Sequence, residues 1–112
     1  MQIWLQPLSA LEVVQEIHIT EYPFIIGRCE DNDCPVPLAY VSRRHCEFTR
    51  VKKVVLVKDL ESYNGTFVNG RRATVPLPVR NGDELHLGPL AFRVIIQPTS
   101  PETPEFYLGA TL

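Results

Sequence analysis

The chain has 112 residues, 45% of them hydrophobic, which suits one buried core and leaves no room for a second domain of ordinary size. Charged residues make up 21% and the formal net charge is −2, so no chain-wide positive field exists to hold nucleic acid or an anionic membrane surface. Any basic site must be local.

The opening segment, MQIWLQPLSA, lacks a basic start and a long apolar run, so it does not read as a signal peptide, and no stretch reaches membrane-spanning length. Cys29, Cys34 and Cys46 are an odd number of cysteines, which points to reduced thiols in a cytoplasmic setting, either free or as the cytoplasmic part of a larger protein. No window carries sustained apolar spacing of helical period. Strands are expected at Val13–Thr20, Phe24–Ile26, Cys46–Val51, Val54–Leu60, Glu84–Gly88 and Ala91–Ile96, where β-branched and aromatic residues alternate or cluster. Turn signals separate them: Asp31-Asn32-Asp33, Asn64-Gly65, Asn69-Gly70, Asn81-Gly82-Asp83 and Gly88-Pro89. Asn69-Gly70, flanked by Val68 and Arg71, reads as a two-residue hairpin of type I′, and Lys52-Lys53 as a solvated hairpin tip. Many short strands at about ten-residue spacing predict an all-β antiparallel sandwich or barrel with its functional groups on loops. From Pro98 onward, three of the ten prolines stand among Ser, Thr and Glu. That composition predicts a domain over residues 1–97 and a tail or linker over 98–112.

Three loop segments combine anion-binding groups with residues that permit tight turns: Gly27-Arg28, Ser42-Arg43-Arg44-His45, and Ser62-Tyr63-Asn64-Gly65-Thr66. A phosphate monoester carries nearly two charges near neutral pH and several acceptor oxygens, so its receptor needs fixed donors with at least one guanidinium. These segments supply them.

The ordered series FIIGR, VSRRH, NGTFVNG and NGDELHLG resembles the forkhead-associated (FHA) domain, and the resemblance spans roughly Met1 to Gln97. That family is itself a known example of phospho-motif recognition by arginine. The resemblance implies an FHA/SMAD-like β-sandwich with binding loops at one end. Its implied function is to bind a phosphothreonine-containing peptide or protein in signalling, without enzymatic activity, cofactor or metal. By this resemblance Arg28 meets a phosphate oxygen and Ser42 donates its hydroxyl to the same group. Arg43 adds a polar or basic phosphate contact, and Asn64 hydrogen-bonds the peptide backbone beside the phosphothreonine. Tyr63 stands where many relatives carry Thr or Ser, and its backbone N–H could serve in place of that hydroxyl. His45 fixes the loops from behind without touching phosphate, and Gly27, Gly65 and Thr66 are architecture, Gly27 through its backbone torsions or the close approach it permits.

Other readings compete with this one. The same fold could bind a partner, or itself, without phosphate. A phosphorylated Thr99 or Thr103 in the tail could serve as a ligand for a neighbouring copy. Cys46 beside His45 could suggest hydrolysis, but adjacent residues on a strand point to opposite faces. The cysteine spacings fit no common zinc pattern, so Cys34 or Cys46 reads as a small buried apolar group. Asp31 and Asp33 lack the glycine and distal glutamate of a calcium loop and read as turn formers.

Overall fold

The computed structural model describes residues 1–8 and 14–98, and the expectations for the tail threonines lie outside those residues. Eleven strands are present among them: β1 (Gln2–Pro7), β2 (Ile17–Ile19), β3 (Phe24–Gly27), β4 (Cys34–Pro35), β5 (Cys46–Val51), β6 (Val54–Asp59), β7 (Thr66–Val68), β8 (Arg71–Arg72), β9 (Leu77–Val79), β10 (Glu84–Leu87) and β11 (Leu90–Gln97). They form two sheets, ordered β2-β1-β11-β10-β7-β8 and β4-β3-β5-β6-β9. Every recorded strand pairing is antiparallel except the short parallel contact of β3 with β4.

Period-two alternation builds the layer between the sheets. In β1, Ile3 and Leu5 are buried while Gln2 and Gln6 are exposed; in β6, Val55 and Val57 are buried while Val54 and Lys58 are exposed. Phe48 of β5 and Phe92 of β11 are the largest fully buried side chains of this core, and Ile26, Leu85 and Leu87 join them. Cys46 lies in the same core with no exposure, which fits a small apolar filler, whereas Cys34 sits half-buried on the two-residue strand β4.

The expected strands are present, Cys46–Val51 with the bounds expected and the others with shifted ends. Of the run Val13–Thr20, Val13 lies outside the described residues, and β2 takes Ile17–Ile19. Strands β1, β4 and β9 lie outside the expected set: β1 opens the chain, β4 has two residues, and β9 carries a proline at its centre, Pro78. The Asn69-Gly70 hairpin is as expected, with φ of 50° and 85° and Val68 paired to Arg71, the geometry of a type I′ turn. Lys52 and Lys53 form the exposed tip between β5 and β6. The connections β3–β4, β4–β5 and β6–β7 gather around one cavity, and these are the segments that hold the anion-binding groups.

Candidate functional site

The cavity encloses about 590 Å³ and takes its walls from three loops: Arg28 from the first, Ser42, Arg43 and Arg44 from the second, and Leu60, Glu61 and Tyr63 from the third. Arg28 leaves β3 with its backbone N–H donating to the Ser42 carbonyl at 2.9 Å and its Nη1 to the Val41 carbonyl at 2.7 Å. One arm of the guanidinium is thereby pinned, and the remaining N–H groups stay available to a ligand.

Ser42 is held on three sides. Its carbonyl accepts from Arg28, its N–H donates to His45 Nδ1 at 3.1 Å, and its Oγ accepts the Tyr63 N–H at 3.0 Å. A hydroxyl that accepts from within the protein keeps its own proton to donate to an incoming oxygen. In this structure the Tyr63 N–H bonds to Ser42, so Tyr63 orients the hydroxyl of its neighbour. The Tyr63 side chain is 92% exposed at the cavity wall.

His45 has no exposure and lies just before β5, so it packs under the loops while Cys46 turns into the core. Because Nδ1 accepts from Ser42, the ring proton sits on Nε2 and donates to the Gly65 carbonyl at 2.8 Å. Burial pushes the His45 pKa below the ordinary histidine value, opposed in part by the Gly65 hydrogen bond and by the Asp59 carboxylate. Burial, with Asp59 adding to it, drives the Cys46 thiol far above the thiol range, so Cys46 stays protonated and is a poor nucleophile.

Asn64 is half-buried and donates from Nδ2 to the Tyr40 carbonyl at 2.8 Å, which ties the third loop to the second. It stands outside the residues that line the cavity. Gly65 adopts φ of 88°, a left-handed torsion that favours glycine, and its N–H donates to Ser62 Oγ at 2.9 Å. Gly27 is needed for a different reason, since a Cβ there would run into the Arg43 carbonyl. Thr66 is fully buried and donates from Oγ1 to Asp59 Oδ1 at 2.7 Å.

Two organising residues were missed from sequence. Asp59 is buried at the end of β6, where Oδ1 accepts from the hydroxyls of Ser62 and Thr66, Oδ2 accepts the Ser62 N–H at 3.1 Å, and the Arg72 guanidinium lies 3.9 Å away. The alternation Val55, Val57, Asp59 already put this carboxylate on the core face, which was the signal available. Asn32, read only as a turn former, is buried and donates from Nδ2 to the Cys29 carbonyl at 2.9 Å and to the Arg43 carbonyl at 2.7 Å. It clamps the first loop to the second. Nothing local in the sequence separates it from its neighbours Asp31 and Asp33.

A β-sandwich that fixes a guanidinium and a free hydroxyl proton on one loop rim has the makings of a module that reads an anionic group on a partner. Residues 24–88 match the FHA domain family, and the chain belongs to that family. It is 35% identical over 108 residues to the glycogen accumulation regulator GarA of Mycobacterium tuberculosis, covering 90% of this chain and 64% of that protein. It is 40% identical over 76 residues to the oxoglutarate dehydrogenase inhibitor of Corynebacterium jeikeium, covering 68% of this chain and 51% of the inhibitor. The chain thus spans only part of the length of these relatives. A solved structure described as a structural and functional analysis of phosphothreonine-dependent FHA domain interactions superposes with a TM-score of 0.77 at 31% identity, covering 88% of this chain and all of that one.

Two outcomes follow from this geometry. The folded pKa of His45 lies below the unfolded value near 6.5, so its neutral form contributes stability that is fully present above about pH 6.5 and falls as pH drops from there toward the folded pKa. Urea midpoints should decline between pH 7.5 and 5.5, and the decline should shrink in His45→Gln. Asn32→Asp would set a carboxylate against two carbonyl oxygens, and denaturant titration should show a loss of about 1–3 kcal/mol.

Proposed function

We propose that the chain is a phosphothreonine-dependent protein interaction module, with residues 1–97 forming the module and 98–112 a tail. Arg28 and Ser42 hold the phosphate, Arg43 assists from the exposed side, and Asn64 reads the peptide backbone beside the phosphothreonine through the side-chain oxygen left over from its contact with Tyr40. Tyr63 acts through its backbone, by orienting the Ser42 hydroxyl. His45, Gly27, Gly65 and Thr66 support the loops. The observation that carries this reading is the mutual locking of Arg28 and Ser42, which leaves guanidinium N–H groups and a hydroxyl proton free at one cavity. The likeness to a structure studied for phosphothreonine-dependent interactions supports it.

Charge-assisted hydrogen bonds contribute about 1.5–3 kcal/mol each. Two or three of them, less the ordering of the peptide, correspond to affinities on the order of micromolar. The partner is a phosphorylated protein met in a reducing compartment, which suits three free cysteines.

Arg28→Ala should weaken binding of a phosphothreonine peptide at least about tenfold, and Ser42→Ala should weaken it to a similar or smaller extent. Both variants should retain a cooperative thermal transition. Fluorescence titration of one peptide with and without phosphate is the measurement. Equal affinity for the two peptides would favour the fold acting without phosphate, and an unchanged affinity in Arg28→Ala would remove that arginine from the site.

A further inference from the structure

The charges around the cavity point to a second feature of the ligand. Arg28, Arg43, Arg44, Asp31 and Glu61 line it together, a set with one net positive charge. None of these five takes part in an ion pair among the described residues. A bound phosphate monoester brings about −1.5 to −2 at neutral pH. The occupied cavity is then negative, and the next group it attracts is a cation.

Glu61 is placed to receive that cation. The phosphate-holding cations come from the first two loops, and Asp31 shares the first of them with Arg28, whereas Glu61 belongs to the third. Beside it on that wall stand Leu60, half-buried, and Tyr63, 92% exposed. An apolar patch and an aromatic ring next to a carboxylate suit a lysine or arginine side chain, which lays its stem on apolar surface and its head on an anion or a ring face. Glu61 also holds φ of 57°, a left-handed torsion that disfavours residues with a Cβ. The turn holds it there: the Ser62 N–H and hydroxyl both bond to Asp59, and Gly65 bonds to Ser62 Oγ. Strained backbone clusters at ligand-binding positions, and Glu61 is an exposed carboxylate in such a torsion with no ion pair among the described residues.

We propose that Glu61 is a specificity-determining residue that selects phosphothreonine peptides carrying a lysine or arginine near the phosphothreonine and rejects those carrying an acidic residue there. This rests on the phosphothreonine reading above.

The test uses the full chain and a set of phosphothreonine peptides in an alanine background, each with a single Lys or Glu at one position from three before to four after the phosphothreonine. In the unsubstituted chain, at least one position should show Lys bound about fivefold more tightly than Glu, and Glu61→Gln should bring that ratio within twofold. Glu61→Gly should also lose the ratio while its thermal midpoint rises by about 2–5 °C, because glycine relieves the torsion. The proposal is overturned if no position prefers Lys, if the ratio survives either substitution at Glu61, or if Asp31→Asn abolishes it instead. Failure of the phosphothreonine reading looks different, since the unsubstituted chain would then bind phosphorylated and unphosphorylated peptides alike.

Discussion

A single neutral imidazole joins the parts of the binding rim. His45 accepts from the Ser42 N–H on one side and donates to the Gly65 carbonyl on the other, so only the tautomer protonated at Nε2 satisfies both neighbours. Ser42 lies on the approach to β5 in one sheet, and Gly65 immediately precedes β7 in the other. The ring therefore spans the two layers at the end where the loops gather. Its burial keeps it uncharged, and a charged ring would present a second proton to an N–H that needs an acceptor.

Around this bridge, buried polar groups do what apolar packing cannot do, which is to fix direction. Asp59 on β6 reaches Thr66 on β7 and so repeats the sheet-to-sheet tie, while its bonds to Ser62 set the turn that carries Tyr63 and Asn64. Buried carboxylates are tolerated when their oxygens are satisfied, and here three protein donors and a nearby guanidinium satisfy them. Asn32 performs the matching task between the first two loops, beneath the point where Gly27 lets the Arg43 carbonyl come close. The result is a rim whose donors are aimed before any ligand arrives, which lowers the ordering cost of binding.

Charge at the rim is a local arrangement set against a chain of net charge −2. Three arginines converge on one cavity while two carboxylates remain on its walls, so attraction for an anion is short-ranged and steering at a distance is weak. Such a surface discriminates by contact, through paired donors and opposed charges, and not by accumulating anions generally. Reported relatives of this family include a regulator and an enzyme inhibitor. A compact rim of fixed donors is suited to a protein partner that carries one defined charged group.

The all-β class follows from local residue preferences, because period-two alternation and β-branched runs leave no helical stripe, and so do the turns, because Asn69-Gly70 and Asn64-Gly65 have torsional preferences that act locally. The sequence also brought Arg28, Ser42, Arg43 and Asn64 forward, since their residue types stand in an ordered pattern. Strands β4 and β9 were not legible, being two residues long in one case and centred on a proline in the other, so their pairing is imposed by neighbours. The roles of the supporting groups were decided only by tertiary structure. The contact of the Tyr63 N–H with Ser42, whether Asn32 is a turn residue or a clamp, and whether Asp59 is solvated or the hub of a turn all depend on hydrogen bonds between residues 3 to 21 positions apart. Local sequence preference carries the first kind of information. The second exists only once both sheets have closed and each buried donor has found its acceptor.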